Sequence, residues 1–196
     1  AKHFNGAIAA GNEAKKLFID AEGLKLTGFN LQHLKRNINP YHDFLAVFEI
    51  RKLIKSYQPD IVHLNSTKAG FLGSLACAGL KTKVIFTAHG FRFLEPLSTL
   101  ERLFYLAIEK FASYFRDFII TVSETDKQAA INQGLIDKNK LITIHNGLPE
   151  ITFLAKDEAR LQLHLPQNIT VIGTIANFYK TKGLDILIKS ASKLHP

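Results

Sequence analysis

Short apolar runs recur along the chain, and segments with helical periodicity separate them. Strand character is expected at about 24–28, 60–64, 83–88, 117–122, 141–144 and 169–175. Several of these runs are nearly continuous in apolar residues, as strands covered on both faces are. Residues 9–21 are alanine-rich and read as a helix. Residues 44–57 set Phe44, Val47, Phe48, Leu53 and Ile54 at helical spacing, with Arg51, Lys52 and Lys55 elsewhere on the turn. Residues 67–80 are small and apolar almost throughout, which predicts a buried crossover helix. Residues 97–115 predict a long amphipathic helix whose aromatics face a core, or else an interface. Residues 123–133 predict a helix capped by Ser123, with Asp126 three positions on.

Strands alternating with helices across short connections predict a Rossmann-like parallel sheet of βαβ units, with helices on both faces. The rhythm changes at Asn146-Gly147-Leu148-Pro149, a turn dipeptide followed by a proline. A polar stretch with a short helix at 156–164 comes next, then the strand at 169–175 and a helix at 184–194. The expected organisation is most of one Rossmann-like domain in 1–148, a linker in 149–168, and the first strand and helix of a second domain in 169–196.

Composition narrows the class. With 46% apolar and 21% charged residues over 196 positions, the chain can bury a sizeable core. No apolar run approaches the roughly 20 residues of a bilayer-crossing helix, and no signal-peptide pattern opens the chain. The lone Cys77 cannot close an internal disulfide and reads as a small buried hydrophobe. Without a starting methionine, the sequence reads as a piece of a longer protein. The formal charge of +8 suits nucleic acid, anionic lipid or phosphorylated small molecules. It is spread along the chain and no nucleic-acid-binding signature accompanies it, so nucleic acid is not an expected partner.

In open parallel sheets, ligands bind beyond the carboxyl ends of the strands, so the segment after each strand holds the candidate chemistry. After 60–64 come Ser66, Thr67 and Lys68, which read equally as a helix cap with a solvated lysine or as cleft-lining polar groups. After 83–88 come His89, Gly90 and Phe91, a turn that also delivers an imidazole to the rim. Ser123 and Glu124 come after the next strand, with capping the simpler role for the serine. His145 and Asn146 come after the fifth. After 169–175 come Asn177, Lys180, Lys182 and Gly183, and lysines with a glycine before a helix suit a diphosphate. Dinucleotide and nucleoside-triphosphate loops and metal-spaced Cys/His pairs are absent from the sequence, so no metal is expected. His63 and His145 lie in or beside apolar strands and read as structural.

The order of these segments resembles a GT-B fold glycosyltransferase of the retaining family 4 type, as in bacterial lipopolysaccharide, capsule and exopolysaccharide assembly. The resemblance rests on Pro59-Asp-Ile-Val-His-Leu-Asn-Ser-Thr-Lys-Ala-Gly70, Phe86-Thr-Ala-His-Gly-Phe91, Ile120-Thr-Val-Ser-Glu124, Ile144-His-Asn-Gly-Leu148 and Ile172-Gly-Thr-Ile-Ala with the later Lys182-Gly183. It implies two Rossmann-like domains around a cleft, a nucleoside-diphosphate sugar as donor, and a glycan or lipid-linked acceptor. His89 would lie against the transferred sugar, Lys182 and Gly183 would contact the donor diphosphate, and no cofactor is implied. Front-face substitution would need no glycosidase-like carboxylate pair. A cytoplasmic location with peripheral contact at an anionic membrane is also implied by the resemblance. The family arginine that precedes the Lys-Gly pair is matched here by Asn177, and Lys180 could take its place. The glycine-rich turn after the family's first strand is expected upstream of Ala1, and the Glu-x₇-Glu motif downstream of Pro196, so this piece alone is expected to be inactive. Two alternatives remain open. One is a GT-B sugar-nucleotide epimerase, for which Glu95 and Glu124 are the only rim acids. The other is a non-catalytic nucleotide- or lipid-binding module.

Overall fold

The computed structural model describes residues 4–11 and 14–194. They form two compact units, 1–146 and 147–196.

The first unit opens with strand β1 (Ala7–Gly11), helix α1 (Lys15–Gly23) and strand β2 (Thr27–Leu31). β1 and β2 pair in parallel, Ala7 opposite Thr27 through Gly11 opposite Leu31. This corrects two expectations: residues 9–21 divide between a strand and a helix, and the strand expected at 24–28 lies three residues later. Alanine populates helices and buried strands alike, so the parallel partner decides the outcome for β1 and local preference does not. Residues 12 and 13, between β1 and α1, fall outside the described residues.

Helix α2 (Pro40–Tyr57) leads to β3 (Ile61–Asn65), α3 (Thr67–Cys77), β4 (Lys83–Ala88), α4 (Thr99–Ser113), β5 (Phe118–Thr121), α5 (Glu124–Asn132) and β6 (Leu141–Thr143). β3 to β6 form a second parallel ladder in sequence order. The chain is thus an α/β fold with parallel sheets and helices on both faces, its strands divided between two hydrogen-bonded ladders. Residue types explain where the helices start. The Asn39 side chain accepts the His42 amide at 3.1 Å ahead of Pro40. Ser98 and Glu101 form a reciprocal capping box at α4. Ser123 caps α5 as the sequence predicts.

The core of this unit lies between β3–β5 and the helices, built on Leu64, Leu72, Val84, Phe86 and Ile119. Helix α3 lies unusually close to the sheet because of two glycines. A Cβ at Gly70 would stand 2.4 Å from the Phe86 ring, and one at Gly73 2.4 Å from Leu64. At the amino ends of the strands, Asp117 clamps β4, its carboxylate accepting from Lys83 Nζ at 2.8 Å and from the Val84 amide at 2.9 Å. That clamp fixes the register that brings the carboxyl ends level.

The second unit contains helices α6 (Lys156–Gln162) and α7 (Leu184–Ala191). Residues 149–168, expected as a linker, cluster with residues 169–196 in this unit. Arg160 gathers the carbonyls of Pro166, Gln167 and Ile169 at 2.6–3.0 Å. Residues 169–175 do not form the expected strand. A strand exists through its ladder, and among the described residues nothing pairs with this segment.

Candidate active site

Parallel pairing puts the carboxyl ends of β3–β6 on one rim. Asn65 lies opposite Thr87, Ala88 opposite Thr121, and Thr121 opposite Thr143. The segments after these strands carry the candidates.

His89 comes directly after β4 and is exposed. Gly90 takes φ +124°, a value side-chain-bearing residues rarely adopt, so the chain turns sharply just beyond the imidazole. Phe91 was expected to line the cleft. The turn instead sends it into the core, 3% exposed, where it stacks on Phe93 at 5.1 Å between ring centroids. Phe91 anchors the loop that presents His89.

At the end of β3, Ser66 adopts φ +72° and ψ 151° without being glycine. Such backbone costs about 1–3 kcal/mol and survives where surroundings enforce it, often at functional sites. Its Oγ accepts the Ala69 amide at 3.4 Å, which is the capping role. Lys68 is held rather than free. Its ammonium donates to the Asn37 carbonyl at 2.5 Å and stands 2.5 Å from Asp43 Oδ1, an ion contact more than an aligned hydrogen bond. The lysine therefore ties α3 to the start of α2 and to the loop before it.

Ser123 Oγ accepts the Asp126 amide at 3.1 Å and donates to its carboxylate at 2.7 Å, so its hydroxyl serves the helix cap. Glu124 is exposed beside it, 4.0 Å from Lys127. Asn146 is exposed, and its neighbour His145 places Nδ1 3.1 Å from the Val122 carbonyl.

His63, read from the sequence as structural, is satisfied within the sheet. His63 Nε2 lies 2.7 Å from Thr87 Oγ1. Burial, and then the charge of His89, hold its pKa below the ordinary imidazole value. The identity of its partner follows from the register of β3 against β4, which no local motif displays.

The Asn177 and Lys-Gly segment belongs to the second unit. Lys180–Lys182 form a single 3-10 turn, Gly183 takes φ +60°, and α7 begins at once, the Gly183 carbonyl accepting the Leu187 amide at 3.0 Å. Asn177, Lys180 and Lys182 are exposed. Neither lysine forms an ion pair among the described residues. Among the described residues no three His, Cys, Asp or Glu side chains gather as a metal site.

The class so defined is a parallel α/β domain whose candidate polar groups gather beyond the carboxyl ends of its strands, where such sheets bind ligands. The model of Glycosyltransferase Family 4 matches residues 14–150, and the chain belongs to that family. It is 34% identical over 122 residues to the UDP-Gal:alpha-D-GlcNAc-diphosphoundecaprenol alpha-1,3-galactosyltransferase of Escherichia coli, covering 61% of this chain and 31% of that one. It is 28% identical over 181 residues to the capsular polysaccharide biosynthesis glycosyltransferase CapM of Staphylococcus aureus, covering 87% and 47%. The crystal structure of Anabaena Alr3699/HepE in complex with UDP and glucose shares the fold, with a TM-score of 0.70 at 18% identity over 96% of this chain and 50% of that one. The chain spans less than half the length of these curated relatives. Their transferase names leave the epimerase alternative the weaker reading.

Proposed function

We propose that this chain supplies the acceptor-side domain, and the opening of the donor-side domain, of a retaining glycosyltransferase. The enzyme moves a sugar from a nucleoside-diphosphate sugar to a growing glycan or lipid-linked acceptor, in surface-polysaccharide assembly on the cytoplasmic side of the membrane. One observation carries the reading: in a chain of this family, the imidazole of His89 stands exposed at the carboxyl end of β4, presented by the Gly90 turn. The names of the relatives support the substrate classes. The E. coli relative pairs a UDP-sugar donor with a diphosphoundecaprenol-linked acceptor, and Alr3699/HepE binds UDP and glucose.

In this mechanism His89 contacts the sugar as its bond to the diphosphate lengthens. Lys182 and Lys180, ahead of α7, stabilise the negative charge that grows on the leaving diphosphate, and Asn177 lies in the same segment. Fixed charges aimed at developing charge are often the largest catalytic contribution. Ser66, Glu124 and Asn146 border the acceptor. With lysines assigned to the leaving group, chelator-treated enzyme is expected to retain transfer.

The test uses the full-length protein and a panel of nucleotide sugars. His89→Ala is expected to lower turnover about 100-fold and leave the thermal midpoint unchanged, because the side chain is exposed. Unaltered turnover refutes the role of His89. Lys182→Ala is expected to weaken donor binding, and an unaltered donor KM counts against the diphosphate assignment.

A further inference from the structure

Residues paired across a parallel ladder share a face of the sheet, and alternate residues of one strand share it too. His63 is paired with Ile85 and Asn65 with Thr87. His63, Asn65 and Thr87 therefore lie on one face, and His89 follows Thr87 by two residues, just past the end of β4. The opposite face carries Leu64, Phe86 and Ala88, all buried under the helices. On the first face, the His63 ring reaches diagonally to the neighbouring strand, to Thr87 Oγ1 at 2.7 Å. Thr87 is 8% exposed, and His63 is the partner of its hydroxyl among the described residues.

From this geometry we propose that His63 is a positioning residue for His89, acting through Thr87. In this proposal the bonded His63–Thr87 pair fills the sheet face at the end of β4, next to the turn that carries His89. It thereby directs the His89 imidazole out over the rim instead of down onto the strands. Burial and the neighbouring His89 charge keep His63 in its neutral form near neutral pH. A neutral ring can hold Thr87 without adding a positive charge beside His89. The proposal rests on the transferase reading only for its consequence in turnover; the positioning itself is a property of the folded rim.

The experiment has two readouts in the full-length protein. One is the ¹H–¹⁵N correlation spectrum of the histidine rings. The other is UDP release from UDP-glucose, UDP-galactose and UDP-N-acetylglucosamine. His63→Ala and Thr87→Val are expected to move the His89 ring resonances and lower kcat about tenfold, with donor KM changed less than twofold. Thr87→Ser, which restores the hydroxyl, recovers most of the loss, and so does His63→Gln, whose amide can still reach Thr87. A packing role alone would lower the thermal midpoint and leave the His89 resonances and kcat in place. That result in His63→Ala overturns the proposal. If His63→Ala moves the His89 resonances while His89→Ala leaves UDP release unchanged, positioning stands and the transferase role of His89 falls.

Discussion

The guanidinium of Arg116 lies 2.8 Å from the Glu109 carboxylate, with both side chains withdrawn from solvent. Arg116 also donates to Ser74 Oγ at 3.0 Å and lies over the Phe86 ring at 3.9 Å. One α4 carboxylate thus compensates a cation held beneath the central strand. Removing one partner of a buried pair strands the other charge and costs about 3–5 kcal/mol. Glu109→Ala is expected to lose stability on that scale, read as a lower urea midpoint with unchanged slope. The joint replacement Arg116→Met with Glu109→Leu is expected to lose much less. Equal losses would show that the cost comes from packing and not from the stranded charge.

His63 makes stability depend on pH in a specific window. Its native pKa is lowered, first by burial and then by His89, from the 6.5 of an unperturbed imidazole. The unfolded chain therefore takes up a proton that the native chain refuses. The associated stability is full above about 6.5 and is lost as pH falls through that value toward the native titration point. His42, lowered by desolvation and then by Lys35, acts in the same direction. Urea midpoints are expected to fall between pH 8 and pH 5.5, and His63→Gln is expected to flatten part of that slope. His89→Ala is expected to raise the titration midpoint of His63 observed by NMR. A midpoint that stays put would mean the two rings do not sense each other.

How much of the fold and the rim was legible from sequence depended on the range of the determining contact. β3 to β6 could be read because their apolar runs are continuous, and Ser123 because a cap is a local pattern. β1 could not, since Ala7–Gly11 becomes a strand only through β2. Residues 169–175 carry a strand's pattern without a ladder. On the rim, His89 and Gly90 could be read from their place after an apolar run. The tie of Lys68 to Asp43 was hidden because that partner comes from another helix. Phe91 was misjudged because the Gly90 turn redirects it. His63 reads as structural in the sequence, and its Thr87 partner on the neighbouring strand agrees.

Cys77 is a case where sequence and structure agree and a simple assay applies. The thiol is 4% exposed in α3, and burial pushes its pKa up to about 11. Thiolate is the reactive form, so the native protein is expected to resist maleimide and disulfide reagents at pH 7.5. It should react fully after denaturation. Rapid labelling without denaturant would mean that α3 detaches from the sheet under native conditions.

Helix α4 bears on the membrane contact expected from the sequence. Leu100, Phe104, Phe111 and Tyr114 are exposed, Tyr114 at 83%, while Tyr105 and Leu106 pack on the core. Their spacing places the exposed four along one face of the helix, with Arg102 and Lys110 on the same helix. The expectation that these aromatics face the core fails for Phe104, Phe111 and Tyr114. Among the described residues no helix is long and apolar enough to cross a membrane, so any contact through α4 is interfacial. Such a face binds by burying apolar area and by attracting anionic headgroups. The full-length protein is expected to sediment with phosphatidylglycerol vesicles at low salt and to be released as salt screens the basic residues. Each exposed aromatic contributes about 1.5–3 kcal/mol when buried. Phe104→Ser with Tyr114→Ser should therefore reduce the bound fraction at least about tenfold without lowering thermal stability. Absence of sedimentation at low salt would end the membrane reading of this face.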